Sequence, residues 1–107
     1  MRFHDAAAEE MALAAQWYES KSTGLGHRFL DAVGEATDLL DEFPRLGVTW
    51  PHPEIKAHQE VRRFPLRTLS FVIIYVTEPE PLVLAVAHGR RHPGYWVERI
   101  GDRPGTG

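Results

Sequence analysis

Cysteine is absent from this 107-residue chain, which excludes disulfides and thiolate metal sites and leaves the redox compartment unspecified. Long apolar runs are absent too. No stretch approaches the roughly 20 residues that span a bilayer, and the N-terminal MRFHDAAAEE turns acidic instead of entering an apolar signal region. There is no glycine-rich phosphate loop, no G-x-S-x-G nucleophile elbow and no zincin motif, so ordinary hydrolase chemistry has no support. His88 and His92 stand four apart, but Pro93 and Gly94 follow at once and no carboxylate has a useful spacing, so neither a metal site nor a cofactor is expected. The length fits one soluble, cytoplasmic domain over residues 1–100, with GDRPGTG (101–107) read as a disordered tail.

The net charge of −3 is unevenly spread. Nine acids face four bases up to Arg45, whereas six acids face eight bases beyond it. The later bases cluster as Arg62, Arg63 and Arg67, then Arg90 and Arg91, so a local positive patch is expected on an acidic molecule. Arginines bordering strands also keep a sheet soluble, and composition does not choose between the two roles.

Asp5 is the expected N-cap of a first helix running to about Ser20, with Glu9 and Glu10 near its positive end. Ala7, Met11, Ala14 and Tyr18 make its apolar face, widened by Ala15 and Trp17. With so many alanines in that stripe, a close-packed neighbour is implied. KSTGLG has a turn composition, and Phe29, Val33, Ala36, Leu40 and Phe43 then recur at helical spacing up to Pro44, which stops a second helix. Two amphipathic helices with a short connection read as an antiparallel hairpin.

Arg45 to Ala57 reads as a loop pinned by Trp50, with a short strand near Val48 to Trp50. Three β-branched runs follow: Glu60 to Phe64, Leu69 to Thr77, and Leu82 to His88, the last two divided by Glu78-Pro79-Glu80-Pro81. The middle run is apolar at successive positions, as expected of a strand covered on both faces. With Arg2 to His4 as a short first strand, the expected fold is α+β, ordered β-α-α-β-β-β: an antiparallel sheet with an N-terminal helical hairpin packed on one face.

AVAHGRRHPGYW, from Ala85 to Trp96, sets an apolar strand against histidines, arginines and an aromatic pair. Ribonucleolytic cleavage needs a base, a phosphate-binding cation and an acid, and His88 or His92, Arg90 or Arg91, and Tyr95 have the matching chemistry. A strand end bearing such residues is more often structural or a binding surface.

Taken together, GLGHRFLDAV, VRRFPL, FVIIYV and AVAHGRRHPGYW, in this order, resemble the RelE/ParE superfamily of type II toxin-antitoxin toxins, on its ParE side. The resemblance covers Phe3 to Arg99. It implies a growth-inhibiting toxin of the plasmid-stabilisation kind, held inactive by a cognate antitoxin that wraps it through apolar side chains and strand addition. An unpaired strand edge offers a physical route for that addition. RelE-like members that cut mRNA on the ribosome carry an arginine in the middle strand. Here that run is Ser70-Phe71-Val72-Ile73-Ile74-Tyr75, with no base. The net charge also argues against ribosomal RNA as a target.

The resemblance therefore implies a non-enzymatic poison of DNA gyrase that makes no sequence-specific DNA contact of its own and does not engage membranes. The alternative is a ribosome-dependent mRNA endoribonuclease using Arg90, His88 and Tyr95. Under the first reading Arg90 and Arg91 are charged target contacts, Tyr95 and Trp96 exposed aromatic anchors, and Arg63 a weaker member of the surface. Because successive strand residues face opposite ways, at most one of Arg62 and Arg63 can join it. The structural alternative is that Trp96 folds back over the sheet while the arginines pair with helix acids such as Glu35 or Asp38.

Overall fold

The computed structural model describes residues 1–51, 55, 60–67, 69–89, 91 and 94–100. The expected tail at 101–107 and the candidates Arg90 and His92 lie outside those residues. A two-residue strand, β1 (Arg2–Phe3), leads into α1 (Asp5–Lys21) and α2 (Leu25–Glu42). Four strands follow: β2 (Val48–Thr49), β3 (Val61–Pro65), β4 (Phe71–Val76) and β5 (Leu82–His88). A single 3₁₀ turn at Val97–Arg99 ends the described chain.

Asp5 is not the cap of α1. His4 takes that place, its Nδ1 accepting the Ala6 N–H at 3.0 Å, and Asp5 begins the helix, where its charge still meets the positive end. The cap of α2 comes from the preceding helix. Glu19 accepts the N–H groups of Gly24 (2.9 Å) and Gly26 (3.0 Å), and those two bonds hold its carboxyl below the usual carboxylate range. The hairpin closes tightly there, since a Cβ on Gly26 would lie 2.6 Å from the Ala15 carbonyl oxygen.

The strands order as β1-β5-β4-β3-β2 in one five-stranded sheet. It is mixed and not wholly antiparallel as expected: β1 runs parallel to β5, pairing Arg2 with Leu82 and Phe3 with Val83, while the other neighbours are antiparallel. A two-residue strand carries no alternation from which its direction can be read, and the helical hairpin and three strands that separate β1 from β5 in the chain supply the long connection a parallel pair requires.

The alanine stripe of α1 fits this arrangement, because fully buried Ala7 lets the helix lie close on the sheet. Phe29, Val33, Ala36 and Leu40 of α2 meet Ile73, Tyr75, Val83 and Val86 on the same face. Two residues expected on the packed faces are exposed instead: Trp17 is 57% and Phe43 52% accessible. Phe43 is the residue at which α2 ends, so its side chain leaves the helical register.

The opposite face has its own core, built from Val61, Ile74, Val76, Leu82, Leu84, Ala85 and Trp96. Strand β4 is thus covered on both sides, as its uninterrupted apolar run requires. Ile74 pairs with Ala85 and Tyr75 with Val83, leaving Leu84 as an extra residue. This bulge lets consecutive Leu84 and Ala85 both join the second core.

The α2–β2 connection is tied down by Tyr75. Its buried hydroxyl donates to the Pro44 carbonyl at 2.7 Å and accepts the Gly47 N–H at 2.9 Å. A Cβ on Gly47 would lie 2.6 Å from that hydroxyl and 2.9 Å from the Arg63 carbonyl, so glycine is needed for the approach. Arg62, on the same face as Tyr75, donates to the carbonyls of Arg45 and Gly47 and pairs with Glu60.

Candidate functional site

Beyond β5 the chain turns back across the second face of the sheet. Gly89 N–H donates to Ser70 O at 2.8 Å, extending the β4–β5 ladder by one bond, and Arg91 N–H closes a turn on His88 O at 2.9 Å. Residues 94–100 then lie on the second core, where Trp96 is 1% exposed. Trp96 is therefore not the exposed anchor expected of it. Its indole is the largest fully buried side chain of the described residues and meets Trp50 edge-on at 5.7 Å. Trp50 is half-buried in the same cluster and pins the β2–β3 loop, as its sequence context suggested.

Where this returning segment meets the sheet, a cleft of about 120 Å³ opens. Arg63, His88, Arg91, Tyr95 and Trp96 all border it, so five sequence candidates share one place. Its floor is apolar, formed by Val72, Ile74 and Ala87. Arg63 stacks over Trp50 at 5.2 Å and Arg91 over Tyr95 at 4.0 Å. Among the described residues no carboxylate pairs with either arginine, so the alternative partners Glu35 and Asp38 are not used by them. Arg62 points to the other face, as strand alternation requires, and Arg67 borders a separate groove with Glu35 and Phe64. His88 lies edge-on to Phe71 at 5.2 Å.

A residue missed in the sequence holds this segment in place. Glu10 of α1 accepts a bond from the Tyr95 hydroxyl at 2.6 Å and from both Arg99 nitrogens, at 2.9 and 3.2 Å. It also accepts the Val86 N–H at 3.2 Å, while Arg99 donates to the Leu84 carbonyl at 2.9 Å. Those two backbone groups belong to β5 beyond its short pairing with β1, and the two side chains satisfy them where no strand does. Burial, then the hydrogen bond to Glu10 and its charge, push the Tyr95 phenol above its ordinary value. Tyr95 is consequently a fixed platform for Arg91, with its proton held by Glu10.

Among the described residues no helix is long and apolar enough to cross a membrane. No curated protein and no solved structure matches the chain. A family model for the ParE toxin of the type II toxin-antitoxin system parDE matches residues 1–93, taking in the helical hairpin and the whole sheet and ending just before the returning segment. With that match over most of its length, the chain belongs to the ParE toxin family of type II toxin-antitoxin systems.

Proposed function

We propose that this protein inhibits DNA gyrase by binding it through the cleft at the end of β5, and that a cognate antitoxin neutralises it. The observation that carries the reading is the apolar character of β4: Val72 and Ile74 present no cation to the cleft, and among the described residues its arginines, Arg63 and Arg91, stand at the rims. Such a surface suits contact with a protein better than clamping of an RNA strand, which needs a charged bed along the backbone. The Tyr95 hydroxyl is bound to Glu10, which weakens the alternative in which it serves as the acid of an mRNA endoribonuclease with His88 and Arg90. Stabilising a cleaved-DNA intermediate of gyrase requires no chemistry from the toxin.

The test is a supercoiling assay with relaxed plasmid, gyrase, ATP and the purified chain. Lost supercoiling with trapped linear DNA, relieved by antitoxin and diminished in a folded Arg91→Ala variant, is the expected result. Undisturbed gyrase at large excess of folded protein, together with cleaved mRNA in a translating extract, would replace this reading with the endoribonuclease one.

A further inference from the structure

We infer that the cleft recognises a carboxylate-bearing side chain on an acidic segment of a protein partner. The inference rests on the cleft being the target face, and it specifies the chemistry recognised there. Arg63 and Arg91 stand at the rim of one cavity, each held by a ring beneath it. Stacking leaves the N–H edges of a guanidinium free, and among the described residues no carboxylate uses them. Two oriented, unneutralised forks match the geometry of a carboxylate or a phosphate.

The surroundings decide between these. At about 120 Å³ the cavity is well below the roughly 300–1,000 Å³ of small-molecule sites, so it takes one group carried on a larger partner. Its floor of Val72, Ile74 and Ala87 suits the methylene stem of a glutamate better than a phosphodiester. Trp50 and Tyr95 already carry guanidinium groups, which leaves those rings poor platforms for stacked bases. The net charge of −3, concentrated toward the helical half, repels a polyanion at long range yet leaves a single inserted carboxylate attracted to the rim.

The experiment follows the arginine side-chain Nε–H resonances of the full chain during titration with hexaglutamate, hexaglutamine and oligothymidylate of equal charge. Arg63→Met and Arg91→Met assign the signals and, being changes at exposed residues, leave the fold intact. Saturable shifts of both resonances with hexaglutamate, absent with hexaglutamine and weakened about three- to tenfold in either variant, support the assignment. No shift with hexaglutamate, an equal shift with hexaglutamine, or tighter binding of oligothymidylate overturns it. The supercoiling assay separates the two readings. Hexaglutamate binding by a chain inert toward gyrase supports the carboxylate site and removes gyrase as the target, whereas poisoning that persists in both variants without hexaglutamate binding overturns the carboxylate site alone.

Discussion

Replacing Glu10 by alanine tests whether the clamp between α1 and the returning segment has the energetic weight its geometry implies. The two charged side chains are well sheltered, Glu10 being 16% and Arg99 17% exposed. Removing one partner of a buried ion pair costs about 3–5 kcal/mol, mainly because the other charge is left uncompensated. Arg99 keeps its bond to the Leu84 carbonyl and some access to water, which places the expected loss near the lower end. The Tyr95 hydroxyl and Val86 N–H also lose their acceptor, each at a cost of about 1 kcal/mol where water enters to replace it. The combined loss of about 5 kcal/mol is a large share of the roughly 5–15 kcal/mol that holds a domain together. In urea, where small proteins unfold with slopes of about 1–3 kcal/mol per molar, the midpoint should fall by about 2–5 M.

Glu9→Ala is the control, because Glu9 is the exposed neighbour on the same helix and should change stability by less than about 0.5 kcal/mol. The double variant Glu10→Ala with Arg99→Met should lose less than the sum of its parts, with a coupling of about 1–3 kcal/mol. Equal midpoints for Glu9→Ala and Glu10→Ala, or strict additivity in the double variant, would refute the clamp.

Trp96→Ala should cost about 3–5 kcal/mol in urea unfolding, as expected for an interior aromatic; a neutral result would contradict its place in the second core. Gly47→Ala should cost about 1–3 kcal/mol in the same assay, since the new methyl must displace the Tyr75 ring or the β3 backbone; an unchanged midpoint would contradict the close approach. Burial raises the pKa of Tyr18, Tyr75 and Tyr95 above that of an ordinary phenol. A raised folded-state value means that the stabilisation is complete below the unfolded pKa near 10 and is lost as pH rises through the folded one. Ultraviolet titration should therefore show all three phenols ionising later in the native protein than in urea, and native ionisation at the free value would refute their burial.

Much of the architecture was legible because periodicity survives wherever an element has one packed face. Phe29, Val33, Ala36 and Leu40 named the inner stripe of α2, and the unbroken apolar run of β4 required cover on two sides. The parallel pairing of β1 left no mark in two residues. Trp96 shows a deeper limit, since an aromatic after a turn has the same local signature whether it anchors a partner or folds back, and only the vacant second face of the sheet decides. Glu10 was within reach. It lies three residues after Ala7 and four before Ala14, so the helical repeat puts a carboxylate inside the packed stripe, where it demands a buried partner. Reading it as a charge near the helix start overlooked that demand. The five candidates that border the cleft were legible as residue types, four of them within one run from His88 to Trp96, but the folded sheet and the returning chain are what bring Arg63 of β3 beside Arg91 and Tyr95.

The occupied edge of β5 has a further consequence for association. Any chain that lengthened the sheet by pairing along β5 past Val83 would need the Leu84 carbonyl and the Val86 N–H, both engaged by Arg99 and Glu10. Pairing there and retention of the clamp are mutually exclusive, so by linkage whatever stability the clamp contributes is subtracted from the affinity of an incoming strand. Association by strand pairing alone is thereby discouraged from growing into an extended ribbon, and only a partner with substantial additional contacts can afford the exchange.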